Sequence, residues 1–132
     1  MQLEAHCHQP GEIIPLPLQQ TDDGLWQSDW APLLPMLLDQ RKDVSHRTAS
    51  FHASLARALC DQALAVQYEH GDFAVGLSGG VFQNRVLAET AIAWLEEAGF
   101  RVYLPQCVPC NDGGLCYGQV IEAGSQMQTP EP

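Results

Sequence analysis

The sequence predicts an α/β fold built around one strand–helix–strand unit. The apolar run at residues 73–77 stops at a Ser-Gly-Gly turn, and apolar residues at helical spacing follow it. A second short run with strand character, residues 100–104, comes after that helix. Two strands of one sheet joined by a helix are parallel with a right-handed crossover. We therefore expect both strands to end at the same edge of the sheet, where α/β proteins hold their ligands.

Length and charge limit the classes of function. The chain has 132 residues, enough for one core or for one lobe of a larger domain. Six Lys and Arg residues stand against 16 Asp and Glu residues, a formal net charge of -10, and such a surface repels nucleic acid and anionic membranes. The sequence shows no membrane-spanning run and no secretory signal, which predicts a cytoplasmic protein without nucleic-acid or membrane partners.

The first thirty residues predict a lead segment and a hairpin. His6, Cys7 and His8 are adjacent, so on an extended segment their side chains alternate in direction and cannot all close on one metal ion. We favour a loosely ordered lead over a metal site there. Residues 12–18 carry two prolines and predict at best an edge strand. A turn at residues 21–24 then predicts a second strand at residues 25–30.

Two helices are expected before the glycine turn. Asp29 is a plausible N-cap for a helix over residues 30–40. A long amphipathic helix over residues 45–70 should end at Gly71. Cys60 lies beside its apolar stripe and is predicted to be a buried thiol. His52 lies at the edge of the stripe, which favours a hydrogen-bonded boundary residue, although the same position could reach a ligand.

The glycine turn is the first candidate site. Ser78, Gly79 and Gly80 come between the strand at residues 73–77 and a helix predicted over residues 81–98. Unpaired N–H groups at a helix start, together with the helix dipole, favour an anion, and glycine lets a phosphate approach the backbone. The alternative is an ordinary strand-to-helix turn whose glycines only satisfy backbone geometry.

The second candidate site follows the second strand. Asn111, Asp112, Gly113 and Gly114 open a helix predicted over residues 115–123, and either Asn111 or Asp112 could cap it. The Asp112 carboxylate could bind a divalent metal ion beside a nucleotide, or could serve only as an N-cap. The polar, proline-containing tail at residues 125–132 is predicted to be disordered.

Three cysteines flank this second site. Cys107 and Cys110 form a CxxC pair, and Cys116 follows six residues later. A redox pair should stand at a helix N-terminus, and a structural zinc site needs four ligands. Neither pattern is complete, so we favour unpaired loop cysteines over a thiol switch or a zinc site.

Three separated motifs together resemble one known family. They are LSGGVFQNRVL at residues 77–87, GFRVYLP at residues 99–105 and NDGGLCYGQ at residues 111–119. In this order they closely resemble the C-terminal end of HypF, the carbamoyltransferases of NiFe-hydrogenase maturation. The segment SFHASLARAL at residues 50–59 and the region of residues 16–38 are similar to the same family. The resemblance covers nearly the whole chain.

The resemblance implies a fold. The family is also similar to the tRNA threonylcarbamoyl transferases, which implies that residues 1–124 form one lobe of an actin-like (ASKHA-type) nucleotide-binding domain with a short mixed sheet and packed helices. None of the five histidines lies in a motif matching the metal-binding histidine pair of the first lobe. The chain therefore resembles the second lobe alone. Cys110 stands where the family pattern usually has proline.

The resemblance also implies a function. The nucleotide-binding residues would be Ser78, Gly79, Gly80, Val81, Asn84 and Gly113. Asp112 would be one ligand of a divalent metal ion (Fe, Zn or Mg), and no catalytic side chain is predicted. The family uses ATP and carbamoyl phosphate to form carbamoyl adenylate and transfers the carbamoyl group to the C-terminal cysteine of a HypE-like protein. Alone, the chain should be catalytically incomplete; the alternative is a non-catalytic module that forms a homodimer or binds the missing HypF lobe.

Overall fold

The computed structural model describes residues 11–128 of the chain. The segment containing His6, Cys7 and His8 lies outside the described residues. The described part contains four strands and four helices in the order ββααβαβα, with a short 3-10 turn before each of the last two helices. None of the described helices combines the length and the apolar character needed to cross a membrane.

The first two strands form a separate antiparallel hairpin. Strand β1 spans Leu18–Gln20 and strand β2 spans Trp26–Ser28, with Leu18 opposite Ser28. The predicted turn between them is confirmed, but the predicted strand at residues 12–18 is wrong in all but its last residue. Prolines at positions 15 and 17 have no N–H group to donate to a neighbouring strand, so this segment is not part of a ladder.

The first helix, α1, is shorter than predicted and spans Leu33–Leu38. The Asp29 carboxylate does not cap it but accepts from the backbone N–H of Ala31 at 2.9 Å. Leu33 N–H then donates to the carbonyl of Trp30, an i to i−3 bond, so the chain makes a tight turn before the α-helix begins.

Helix α2, Val44–His70, is the central element. Asp43 caps it by accepting from His46 N–H at 2.9 Å. Gly71 ends it with a positive φ of 81°, which favours glycine, and its N–H donates to the Gln67 carbonyl. The extended N-terminal segment lies along this helix, because the backbone N–H of Ile14 donates to the Ser54 hydroxyl at 2.9 Å.

The last two strands form the predicted parallel pair. Strand β3 spans Ala74–Gly76 and strand β4 spans Arg101–Tyr103, with Val75 opposite Val102. The prediction of parallel strands is confirmed. The described strands nevertheless form two separate two-stranded sheets, one antiparallel and one parallel, instead of one short mixed sheet.

Helix α3 begins later than predicted and spans Arg85–Glu97. Residues Gly80–Gln83 form a 3-10 turn, and Asn84 separates that turn from the helix. The helix packs along α2, and both contribute to the core. The buried core residues shared by α2, α3 and the parallel strands fall into two groups: Cys60, Leu77, Leu95 and Phe100, and Ala56, Leu87 and Ala91.

The last helix, α4, spans Leu115–Gln128 and follows a 3-10 turn at Asp112–Gly114. It is five residues longer than predicted. The predicted disordered tail is therefore helical from residue 125 to residue 128, while residues 129–132 lie outside the described part of the chain. Gly124, Ser125 and the residues around them are compatible with a helix because no proline occurs between positions 109 and 130.

Candidate functional site

The glycine turn leaves the end of β3. Leu77 N–H donates to the Tyr103 carbonyl at 2.9 Å, so pairing with β4 continues one residue beyond the strand. Gly79 then has φ of 109° and ψ of 156°, a conformation that only glycine adopts without strain. The chain enters the 3-10 turn at Gly80, where the first N–H groups have no acceptor within the turn.

Gly80 differs from its neighbour. Its φ is not positive, and a Cβ added to it would meet nothing within 4 Å. The fold of this chain therefore does not require glycine at position 80, whereas backbone conformation requires it at position 79. Position 80 therefore has room for a side chain in this chain, and its being glycine is compatible with close approach of a ligand to the backbone.

The second loop is organised by Asn111. Its side-chain oxygen accepts from Gly113 N–H at 3.0 Å, and its carbonyl accepts from Gly114 N–H at 2.9 Å. Asn111, and not Asp112, is thus the cap of this turn. A Cβ on Gly113 would lie 3.0 Å from the Asn111 oxygen, and one on Gly114 would lie 3.0 Å from the Pro109 carbonyl. A side chain at either position would therefore be tight against the loop itself.

The two loops open onto one cleft of about 590 Å³. Ser78 lines it from the end of β3, and Asn111 and Gly114 line it from the loop after β4. The prediction that parallel strands would deliver both loops to one edge is thus supported by the shared cleft. Gly80 and Asp112 flank the lining residues without being among them. Both are exposed.

Helix α4 forms the far side of the same cleft, a contribution that the sequence analysis missed. Its lining residues are Leu115, Gly118, Gln119, Glu122, Ala123 and Gln126. Their spacing of three and four residues is that of one helix face, which was visible in the sequence. This face gives no apolar repeat in the sequence, because apart from Leu115 its residues are small or polar.

Val81 is not on this cleft. It lies half-exposed on a second, smaller cavity of about 330 Å³ between α2 and the 3-10 turn, together with Phe82 and Leu87. Ser78 and Val81 therefore lie on different cavities, although only two residues separate them in sequence.

Asn84 is held by the protein at both ends of its amide. Its Oδ1 accepts from Leu87 N–H at 3.1 Å, which caps α3, and its Nδ2 lies 2.7 Å from Nε2 of His52. His52 is only 2% exposed, and its Nδ1 lies 2.7 Å from the Thr48 carbonyl. His52 is therefore a buried, fully hydrogen-bonded residue, as favoured from the sequence, though it is deeper than a boundary position.

The described residues do not by themselves fit a metal centre. No group of three His, Cys, Asp or Glu side chains among residues 11–128 is placed to hold an ion. Asp112 is exposed at the start of its 3-10 turn and could supply one ligand. Any further ligands would have to come from elsewhere.

The cysteines of the described part are free thiols. Cys60 is buried between α2 and α3, and its burial raises the pKa of its thiol. Cys107, Cys110 and Cys116 are unpaired in or next to the second loop. The favoured interpretation of these residues as unpaired loop cysteines, over a thiol switch or a zinc site, stays a prediction.

Comparisons with known proteins agree on one family. The family model described as "Carbamoyltransferase, Kae1-like Domain, second subdomain" matches residues 1–119. The chain is 32% identical over 111 residues to "Carbamoyltransferase HypF" of Synechocystis sp., covering 83% of this chain and 14% of that protein. A "tRNA N6-adenosine threonylcarbamoyltransferase" of Thermosynechococcus vestitus is 32% identical over 75 residues, which is 57% of this chain and 21% of that protein.

Solved structures give the same result. A crystal structure of full-length HypF in the phosphate- and nucleotide-bound form superposes with a TM-score of 0.88 at 30% identity, covering 97% of this chain and 17% of that one. The T. kodakarensis HypF structure superposes with a TM-score of 0.73 at 24% identity, covering 96% of this chain and 16% of that one, and shows the same fold. The chain thus spans about one sixth of these proteins. It belongs to the HypF carbamoyltransferase family, within which it corresponds to the second subdomain of the Kae1-like domain.

Proposed function

We propose that this chain forms one wall of the nucleotide site of a HypF-type carbamoyltransferase. The observation that carries the proposal is Gly80, which faces open space and whose lack of a side chain serves no contact within the chain. Ser78, Gly79 and Gly80 would hold a phosphate group of ATP or of carbamoyl adenylate through their backbone N–H groups. The surface charge of the chain gives no general attraction for anions, so the site must act locally.

The cleft and the comparisons support this proposal. Ser78 and Asn111 follow two parallel strands and line the same cleft. In α/β proteins, nucleotides bind at the ends of parallel strands in this way. The HypF structure with a TM-score of 0.88 is described as phosphate- and nucleotide-bound. On those two grounds we propose that this chain binds a nucleotide. We also propose that it has the fold of one lobe of an actin-like domain.

The other predicted contacts take different roles in the proposal. Both ends of the Asn84 amide are engaged with His52 and Leu87, so Asn84 would act by holding the end of the glycine turn in place. Gly113 N–H is engaged with Asn111, so Gly113 would contribute close backbone approach. Val81 would contribute only its backbone N–H, because its side chain lies on a different cavity from the cleft. Asp112 would supply one ligand of a metal ion completed by residues outside the described chain.

The reaction proposed for the complete enzyme is carbamoyl transfer. Carbamoyl phosphate and ATP would form carbamoyl adenylate with release of phosphate and pyrophosphate. The C-terminal cysteine thiolate of a HypE-like protein would then attack the carbamoyl carbon while AMP leaves. This chain would hold the adenylate during the second step, which lowers the entropy cost of bringing the reactants together. We propose a cytoplasmic location and no activity for the isolated chain.

Calorimetric titration with ATP tests the nucleotide site. The wild-type chain should bind ATP with a dissociation constant in the millimolar range or tighter, and Gly80→Val should weaken binding at least tenfold because its side chain fills the phosphate space. Gly124→Val is the matched control, since a Cβ there also meets nothing within 4 Å and the residue does not line the cleft. Equal affinity in the wild type and Gly80→Val would contradict the proposed site.

A transfer assay tests the proposal that the isolated chain is inactive. The purified chain is mixed with a HypE-like protein, carbamoyl phosphate and ATP, and the modified cysteine is sought by mass spectrometry. We expect no thiocarboxamide from this chain alone. Its appearance would show that the chain needs no other lobe.

A further inference from the structure

The imidazole of His52 lies behind the end of the glycine turn. His52 belongs to α2 and is 2% exposed, and its Nε2 lies 2.7 Å from Nδ2 of Asn84, the residue that follows the 3-10 turn and caps α3. A buried polar ring is costly unless its polar atoms are paired. Both ring nitrogens are paired here, so His52 makes directional contacts that an apolar side chain of similar size could not make.

Two neighbours fix the imidazole ring. Nδ1 lies 2.7 Å from the Thr48 carbonyl, which can only accept, so the proton is assigned to Nδ1 and Nε2 is left as an acceptor. The Phe51 ring stands edge-on to the imidazole, with the ring centroids 5.6 Å apart and the planes at 88°. The imidazole is therefore presented to Asn84 in one tautomer and one orientation.

This arrangement decides which way the Asn84 amide points. Leu87 N–H can be accepted only by the amide oxygen, at 3.1 Å, and Nε2 of His52 can be met only by the amide nitrogen. Both contacts therefore select the same orientation of the amide. Without an acceptor at position 52, the amide would keep its bond to Leu87 but lose its contact with α2.

The hydrogen bonds inside the glycine turn do not tie it to the rest of the fold. Phe82 N–H donates to the Gly79 carbonyl and Asn84 N–H to the Val81 carbonyl, both at 3.1 Å. The Phe82 side chain packs on the core, but an apolar contact has no preferred direction. The orientation of the turn therefore depends on its two ends, which are Leu77, paired with β4, and Asn84.

We infer that His52 is a positioning residue for the nucleotide site. Through Asn84 it holds the backbone N–H groups of residues 79–81 in the orientation in which they receive a phosphate, without touching the ligand itself. Groups that are held in place before binding lose less conformational entropy when the ligand arrives. The inference rests on the proposed nucleotide site and adds to it a buried residue that does not line the cleft.

The ATP affinity of substituted chains tests the inference. His52→Leu removes the acceptor at similar volume and should weaken ATP binding about tenfold, as for one lost hydrogen bond. His52→Gln should restore most of the affinity, because a glutamine oxygen can take the place of Nε2 and accept from Asn84. Leu33→Ala is the control for lost stability, since Leu33 is 1% exposed in α1, and its ATP affinity should stay within about twofold of wild type.

Asn84→Ser tests the same contact from the other side. Serine is a good N-cap, so α3 should keep its cap, but the serine side chain is too short to reach His52. This variant should weaken ATP binding as much as His52→Leu does. It provides the test even where leucine at position 52 prevents folding.

Two measurements without ATP test whether His52 holds the turn. Amide hydrogen exchange of Phe82 and Asn84 should be about tenfold faster in His52→Leu than in wild type, whereas Leu33→Ala should raise exchange without singling out these two amides. A long-range ¹H–¹⁵N spectrum of the imidazole should show the proton on Nδ1 and none on Nε2. A protonated Nε2 in the folded chain would overturn the inference.

The outcomes separate the inference from the nucleotide proposal. If wild type and His52→Leu bind ATP equally well, the inference is wrong and the nucleotide site stands. If His52→Gln binds as weakly as His52→Leu, lost packing and not the lost acceptor explains the effect, and the inference is again wrong. If wild type does not bind ATP, the nucleotide proposal is wrong, and the exchange rates of the turn decide whether His52 positions it.

Discussion

The side-chain amide of Asn84 joins two helices at the end of the glycine turn, with its Nδ2 2.7 Å from Nε2 of His52. The Thr48 carbonyl lies 2.7 Å from His52 Nδ1 and can only accept, so Nδ1 carries the proton and Nε2 accepts from Asn84. Asn84 Oδ1 in turn accepts from Leu87 N–H. One chain of hydrogen bonds thus runs from α2 to the first turn of α3 and fixes where the glycine turn ends.

Asn84→Ala should destabilise the chain by about 2–4 kcal/mol, the sum of a lost helix cap and a buried acceptor left without a donor. Urea unfolding followed by circular dichroism measures the change. Gln83→Ala is the control, because position 83 is exposed and adjacent. Equal stability of the two variants would show that the His52 contact contributes nothing.

The two glycines of the turn should respond differently to alanine. Gly79→Ala places a side chain at φ of 109° and should cost about 1–3 kcal/mol of folding free energy. Gly80→Ala meets no atom within 4 Å and should change stability by less than about 0.5 kcal/mol. Thermal and urea unfolding of both variants provide the comparison. A large loss of stability in Gly80→Ala would mean that the fold, and not a ligand, requires that glycine.

Cys60 should be protected from thiol reagents in the folded chain. It is buried, and burial raises the pKa of its thiol, which lowers the fraction of reactive thiolate. Cys107 and Cys116 are exposed and should react quickly. Alkylation with iodoacetamide followed by peptide mass spectrometry distinguishes them, with labelling in urea as the control. Labelling of Cys60 at the rate of Cys107 in the native chain would be inconsistent with the buried position.

The pKa of Asp39 should depend on Arg41. Hydrogen bonds from the Arg41 side chain at 2.8 and 3.1 Å, with a smaller contribution from its backbone N–H, hold the pKa of this carboxyl at about 2. Because the folded value is below the unfolded one, the stabilisation is present above the unfolded pKa and is lost as the pH falls through about 2. Arg41→Gln should raise the pKa towards 3.8 in a carboxyl NMR titration. Arg101→Gln should leave it unchanged.

Much of the fold was predictable where periodicity was strong. The predicted start of helix α2 was within one residue of the observed start and its predicted end was correct, because its apolar repeat and Gly71 agree. The parallel pairing of β3 and β4 followed from the connection between them. Boundaries that depend on tertiary hydrogen bonds were missed. Residues Gly80–Gln83 have helical spacing but form a 3-10 turn, since α3 starts only where Asn84 can bond both Leu87 and His52.

The candidate site was predictable in its location but not in all its members. Two turns after two parallel strands are sufficient to place Ser78 and Asn111 on one cleft. The sequence alone does not reveal that Asn111 uses its side chain on Gly113 N–H, or that Val81 turns towards a different cavity, because both depend on backbone angles of single residues. The length of α4 was underestimated because after Ile121 the helix continues mainly through small and polar residues.

The central claim is that the loops after β3 and β4 bind one nucleotide together. The most direct measurement is an NMR titration of the ¹⁵N-labelled chain with ATP, following the backbone amides of residues 78–81 and 111–114. We predict that both groups of amides shift along the same saturation curve, with one dissociation constant, and that Gly80→Val abolishes the shifts in both loops. Shifts confined to one loop, two different dissociation constants, or no shifts at saturating ATP would contradict the account.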